Sequence, residues 1–188
     1  LEIRGAGNLL GSSQTGHIAA VGLELYTQMI EKAVRELKGE ETVEEITPEI
    51  HFQLPAFIPE AYVEDPGERL SLYRRLSLTR SNEEVDGLRE ELVDRFGLPP
   101  DPAKCLLETH RLRVKAKPLG IAKIDAGPDA IVFQFIPDPP VDSGKIIDFV
   151  RSRKNARLAG PDRIRVQTQS ADLTARSEKV REFLRALS

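Results

Sequence analysis

The sequence has few of the residues that build redox sites and stacking surfaces. Its 188 residues include one cysteine and no tryptophan, and aromatic residues make up 5% of the chain. A single cysteine cannot form an internal disulfide, and Cys105 lies in an apolar helical run, which indicates a core thiol in a reducing compartment. No apolar run approaches the roughly 20 residues that span a bilayer, and no signal segment is apparent. We therefore expect a soluble, cytoplasmic protein with no membrane partner.

The chain also lacks the groupings that mark a catalytic or metal centre. Its three histidines, His17, His51 and His110, fall in three different predicted elements and have no cysteine pair to join them. Carboxylates are abundant, but no pair is marked by sequence as an acid and a base at fixed separation. We expect no enzymatic activity, no metal and no cofactor in this chain taken alone.

Glycines are concentrated at the start of the chain, where a nucleotide-binding loop would be a natural suggestion. Gly11 and Gly16 have the spacing of a phosphate-binding loop, but His17 and Ile18 follow them where Lys and Ser or Thr are needed. A dinucleotide fingerprint would need glycine where Leu10 stands. The glycines are better explained as turns between helices, although turns leave the polar residues of this segment unexplained.

Charge is unevenly distributed, although the formal net charge is only −3. Residues 1–48 carry 4 basic and 8 acidic groups, whereas residues 141–188 carry 11 basic and 6 acidic groups. The basic surplus peaks over residues 151–165. A run of this kind without stacking aromatic residues is more often a solvated face than a nucleic-acid groove. Nucleic-acid binding stays open as an alternative, and its candidate contacts are Arg151, Arg153, Lys154 and Arg157.

Helical periodicity predicts a long helix from Ile18 to Lys38, ended by Gly39. Its wide apolar stripe requires cover from both sides. The acidic stretch 40–47 follows as a solvated connector, and Pro48 closes it. We therefore divide the chain into a loop and long helix over 1–39, a connector over 40–47, and a folded domain over 48–188.

The folded domain is predicted to be α+β, a small mixed sheet covered by helices. Capping residues predict two helices that form an antiparallel hairpin, the first beginning after Asp65 and the second covering 82–96. The remaining pattern predicts an edge strand within 49–59, a β-hairpin and a later strand, with helices at 102–117, 143–153 and 173–187. The elements alternate without the regular rhythm of a parallel βαβ array.

The helix over 82–96 can be divided into two faces by angle. At about 100° per residue, four apolar residues fall on one arc and are expected to face the core, namely Val85, Leu88, Leu92 and Phe96. Glu91, Asp94 and Arg95 fall together on another arc and face outward. An ordinary charged, solvated helix face explains them on sequence alone.

The opening run resembles a motif shared by two groups of DNA motor proteins. The order of residues is similar to the translocation motif of RecG and of the transcription-repair coupling factors, the Mfd family, and reads IRGAGNLLG, then QTGH, then GLELYTQMIEKAVRELK. The later segments ERLSLYRRLS, EELVDRFGLPPDPAKCLLE and RLRVKAKPLGIAKID resemble, in order, the C-terminal domain of the transcription-repair coupling factors, which RecG lacks. Since the chain starts at Leu1 within such a motif, we expect it to be part of a larger protein.

The resemblance implies a role for each of the two regions. Arg4 and Gln14 match polar positions of the translocation motif, which couples closure of ATP-driven motor domains to movement on duplex DNA. The ATP and magnesium sites of that motor would lie outside this chain, which we expect to leave residues 1–16 poorly ordered or repacked.

The resemblance also assigns the outward arc of helix 82–96. Glu91, Asp94 and Arg95 match residues that dock on an N-terminal UvrB-like module of the same protein and hide the surface that recruits UvrA. The implied function is therefore autoinhibitory regulation within a translocase that removes stalled RNA polymerase.

Overall fold

The computed structural model describes residues 29–30, 33–34, 37 and 46–188. The folded part has an α+β architecture, as predicted. Its elements, in chain order, are β1 (Glu49–His51), α1 (Pro66–Ser77), α2 (Asn82–Phe96), α3 (Asp101–Ala116), a 3₁₀ turn (Lys117–Leu119), β2 (Ile121–Ala126), β3 (Ala130–Phe135), α4 (Ser143–Ser152), β4 (Ala156–Leu158), β5 (Arg163–Gln167) and α5 (Leu173–Leu187).

Side-chain caps fix the starts of the first two helices. The carboxylate of Asp65 accepts a hydrogen bond from the Glu68 amide at 2.9 Å, and Pro66 occupies the first helical position. The hydroxyl of Ser81 accepts from the Glu84 amide at 3.2 Å. Each cap satisfies an amide that has no partner within its own helix. The bounds predicted for the second helix are therefore confirmed.

The five strands form one mixed sheet in the order β1-β2-β3-β5-β4. The pair β1 and β2 is parallel, and the other three pairs are antiparallel. The predicted edge strand is confirmed as β1, although it is only three residues long because the chain turns away at Gln53, whose φ is +52°. Strand β4, at the opposite edge, was not predicted.

Helices cover one face of this sheet. Alternate strand residues on that face are buried, including Ile124, Phe133 and Ile164, and they pack against α3, α4 and α5. The residues between them point to the other face, where no described strand residue is buried. The cover predicted for the sheet is therefore one-sided within the part of the chain that the structure describes.

Helix α3 lies between two hydrophobic cores. Cys105, Leu112 and Ala116 pack into the core of the sheet, whereas Leu106 and Leu107 pack against α1 and α2. The buried guanidinium of Arg113 adds a polar link, because its Nη2 donates to the Leu76 carbonyl at 3.1 Å and to the Ser77 carbonyl at 3.2 Å. Helix α3 thus joins the helical hairpin to the sheet.

Before residue 46, the structure describes only five residues, all of them helical: Met29, Ile30, Ala33, Val34 and Leu37. They lie inside the long helix predicted for this region. Met29 is 63% exposed and Leu37 is 87% exposed, so the part of the apolar stripe that is described is uncovered. The division of the chain at residue 48 stays a prediction. Among the described residues, no helix has both the length and the apolar character needed to cross a membrane.

Candidate docking face on the second helix

Helix α2 presents the three charged residues selected from the sequence. Val85 and Leu92 are almost fully buried against α1 and α3. On the outward side, Asp94 and Arg95 are exposed and Glu91 is partly exposed. The end of the helix is held by Tyr62, whose hydroxyl is 3.2 Å from the Leu92 carbonyl and 2.8 Å from the Gly97 carbonyl. The two arcs inferred by angle are therefore present on the folded helix.

Glu91 is the centre of an ionic network between α1 and α2. Its two carboxylate oxygens accept from Nη1 and Nη2 of Arg75 at 2.8 and 2.5 Å, and Arg95 Nη1 lies 3.2 Å from the same carboxylate. The hydrogen bonds from Arg75, more than those from Arg95, lower the pKa of Glu91 to about 2, against the opposing effect of desolvation. Glu91 is consequently ionised at any physiological pH and is fixed in place by a forked, two-bond contact.

Arg95 extends this network back to the first turn of α1. Its Nη2 lies 3.0 Å from a carboxylate oxygen of Glu68, and its guanidinium carbon is 4.9 Å from the centre of the Phe96 ring. The contacts to Glu68 and then Glu91 raise the pKa of Arg95. Pairs this exposed contribute little to stability, so their main effect is to orient the side chains.

Asp94 differs from its two neighbours. Within residues 46–188, no ion pair or side-chain hydrogen bond reaches its carboxylate. By helical angle it lies in line with Glu83, Gly87 and Glu90, all of them exposed. The candidate face thus combines a fixed Glu91–Arg95 pair with an acidic line whose charge is not neutralised within the domain.

The other site residues predicted from sequence are not brought to this face. Arg4 and Gln14 lie outside the described residues. Arg151 and Lys154 are exposed near the end of α4, whereas Arg153 pairs with Glu182 at 2.7 Å and lies over the Phe149 ring. Arg157 is exposed on β4, so of the four residues considered for nucleic-acid binding only Arg153 has an ion partner among the described residues, and their binding role stays a prediction. The sequence analysis did not identify Arg75 and Glu68 as ion partners of Glu91 and Arg95. The predicted helical hairpin is the signal that places their helix beside α2.

A groove of about 370 Å³ lies beside α3 and α5, and most of the charged residues around it are paired with one another. Glu108 accepts hydrogen bonds from Ser177 and Arg181 across it, and Arg111 pairs with Asp86 on α2. Since these contacts join the elements around the groove, we interpret the cluster as structural.

Across the described residues, no group of three or more His, Cys, Asp or Glu could hold a metal ion. Burial raises the pKa of the Cys105 thiol to about 11, which leaves it unreactive.

Comparison with known proteins agrees with the resemblance inferred from the motifs. The family model described as the TRCF domain matches residues 52–146. Transcription-repair-coupling factors of Escherichia coli and Haemophilus influenzae are 36% and 37% identical to the chain over its whole length. The aligned region is 17% of each of these relatives, so the chain spans about a sixth of their length. The Helicobacter pylori protein is 44% identical over 66% of this chain and 12% of its own.

The fold is also found in a solved structure. A crystal structure of the C-terminal domain of a transcription-repair coupling factor superposes with a TM-score of 0.65. The match covers 75% of this chain and 91% of that chain at 20% sequence identity, so it is evidence for the fold. This fold match agrees with the family match and with the identities over the whole of this chain. The chain belongs to the transcription-repair coupling factor family.

Proposed function

We propose that residues 48–188 form a regulatory domain that restrains the parent protein by covering its UvrB-like module. The contact is made by the outward face of α2, through Glu91, Asp94 and Arg95. Docking of this face hides the surface that recruits UvrA, so the domain and UvrA compete indirectly. The observation that carries the proposal is the unpaired charge of Asp94 beside the fixed Glu91–Arg95 pair.

The geometry supports a pre-organised contact. Glu91 and Arg95 already occupy fixed positions before any partner arrives, so docking costs little side-chain entropy at these two residues. Asp94 loses no internal partner when it turns to a cation on another surface. A charge that exchanges water for a fixed partner contributes to specificity and to the rate of association.

The parent protein in this proposal is an ATP-dependent translocase on duplex DNA that removes stalled RNA polymerase. Its ATP and magnesium sites are assigned to regions outside this chain, and Arg4 and Gln14 belong to the segment that couples the motor to DNA. The domain itself needs no cofactor for its role, because its contact is between two protein surfaces.

A binding measurement with matched variants tests the contact directly. The 188-residue chain is titrated against the separately produced UvrB-like module of the same protein by isothermal calorimetry. We expect Asp94→Lys to weaken binding at least tenfold, which corresponds to about 1.4 kcal/mol. Asp148→Lys is the control, because Asp148 is also exposed and helical, has no ion partner among residues 46–188, and lies on α4.

Glu91 requires a different variant, because reversing its charge would also break the contacts to Arg75 and Arg95. Glu91→Gln removes the charge and keeps the shape, and thermal unfolding measured alongside separates loss of docking from loss of folding. Equal weakening by Asp94→Lys and Asp148→Lys would show that only net charge matters, and it would refute the assigned face.

The regulatory consequence is tested in the full-length protein. Asp94→Lys is expected to increase UvrA binding and DNA-stimulated ATP hydrolysis, since both are restrained by the docked domain. If neither changes while the isolated pieces still bind each other through Asp94, the contact exists but does not regulate. If the isolated pieces do not bind, the docking proposal itself is wrong.

A further inference from the structure

The face of the sheet that helices leave open has an arginine cluster at one edge. On this face lie Arg157 of β4 and both Arg163 and Arg165 of β5, between residues whose side chains point to the core. Ala156, Ile164 and Val166 are those core residues, and all three are buried. Arg157 and Arg163 are exposed and Arg165 is partly exposed, so the three cations share one accessible surface.

The strand register places like charges directly opposite one another. Arg157 is the partner of Arg165 across the antiparallel pair of β4 and β5. Side chains in that relation have Cβ atoms about 5 Å apart, and like charges there are destabilising. Arg163 is two residues along the same strand, about 7 Å from Arg165. The edge therefore holds three positive charges at fixed, short spacings.

Internal acids neutralise this cluster only in part. The nearest is Asp162, whose carboxylate is 3.8 Å from Arg163 Nε and also accepts from the Gln134 amide at 3.0 Å. Of the other acidic strand residues of this face, Asp125 lies in the same cross-strand row as Arg165 but two strands away, and Glu49 lies on the far edge strand β1. In the described part of the chain, neither Arg157 nor Arg165 has an ion-pair partner.

The residues of β3 that lie next to the cluster are uncharged. Val132 lies opposite Arg165 on β3, and Gln134 lies opposite Arg163. No aromatic side chain is among the strand residues of this face, so the stacking that single-stranded nucleic acids require is not provided. Arginines on a rigid support are suited to phosphate oxygens, which recur at regular intervals along a duplex.

We propose that Arg157, Arg163 and Arg165 bind the phosphate backbone of duplex nucleic acid. The site lies within the basic run 151–165 but consists of its strand arginines, whereas Arg153 of the same run is paired with Glu182. It reads no base sequence, since contacts to phosphates position a protein on a duplex without specifying bases. It is also separate from the face of α2 and does not depend on the docking proposal.

Fluorescence anisotropy of the 188-residue chain with a labelled DNA duplex tests the proposal. Three phosphate contacts give a slope of log K against log salt of about −2.7, equivalent to about fortyfold weaker binding on going from roughly 50 to 200 mM salt. The triple variant Arg157→Gln, Arg163→Gln, Arg165→Gln is expected to lose this binding. The corresponding triple lysine variant keeps the charges and is expected to retain most of it.

The control triple variant Arg74→Gln, Arg80→Gln, Lys115→Gln removes the same net charge from exposed positions outside the basic run. Loss of binding in the cluster variant alone supports the site, with circular dichroism confirming that each variant is folded. Equal loss in both variants would show bulk attraction and overturn the proposal. Absence of duplex binding would overturn it too, and cluster-dependent binding of polyglutamate in that case would identify an acidic protein surface as the partner.

Discussion

His110 is expected to make the stability of this domain depend on pH in the range just below neutrality. The residue lies in α3 and is buried, with 6% of its surface exposed. Its Nδ1 has no hydrogen-bond partner among the described residues. Burial, and then the positive charge of Arg113, lower the pKa of His110 from 6.5 to about 3. The folded protein therefore holds this imidazole neutral.

The sign and size of the effect follow from linkage between protonation and folding. Below pH 6.5 the unfolded chain binds a proton at this position that the folded chain refuses, so the free energy of unfolding falls as the pH falls. From pH 7 to pH 5 the expected loss is about 2 kcal/mol, and the loss levels off only below about pH 3. Glu91 contributes little in this interval, because its pKa is about 2 when folded and 4.5 ordinarily.

Urea unfolding followed by circular dichroism between pH 7 and pH 5 measures the effect. His110→Leu removes the titrating group, and its free energy of unfolding is expected to stay nearly constant over that interval. His51→Gln is the matched control, because the His51 side chain is 51% exposed. An unchanged pH dependence in His110→Leu, or an NMR titration of His110 near pH 6.5 in the folded protein, would refute the reasoning.

Three substitutions test other parts of the packing by urea unfolding. Gly87→Ala is expected to stabilise the domain by about 0.5–1 kcal/mol, because Gly87 is exposed on α2 and a new Cβ there would meet no atom within 4 Å. A destabilising effect would mean that α2 packs differently. Tyr73→Phe is expected to lower the free energy of unfolding by about 1–3 kcal/mol, because the Ile58 amide donates a hydrogen bond to the Tyr73 hydroxyl at 2.7 Å. An unchanged stability would mean that this amide bonds to water instead. Phe183→Ala is expected to lower the free energy of unfolding by about 3–5 kcal/mol. The Phe183 ring stacks on Phe133 at 3.7 Å between centroids and meets Phe149 edge-on at 4.8 Å. A loss below about 1 kcal/mol would exclude that packing.

The elements that local chemistry specifies could be predicted from the sequence. Helix α2 has a capping serine at its start and a glycine with φ of +83° at its end, and both signals act within a few residues. The hairpin of β2 and β3 was predicted from alternation and a short turn for the same reason. Three-residue strands such as β4 have too few residues for any period to be recognised, and only their pairing with a longer neighbour forms them.

The candidate site could be predicted in outline but not in its internal connections. The arc that contains Glu91, Asp94 and Arg95 follows from helical angle alone. The partners of Glu91 do not, because Arg75 reaches it only after α1 and α2 have packed. Arg176 is a stronger example, since this buried guanidinium donates to the carbonyls of Ser170 and Phe52, the latter 124 residues away. Backbone carbonyls are present at every residue, so no sequence pattern marks which one will accept.

The position of α3 between two cores has a mechanical consequence. A helix that is buried on both sides cannot tilt toward one core without opening the other, so the α1–α2 hairpin and the sheet move together. A displacement of the sheet would therefore also move the charged face of α2, because α3 packs against both.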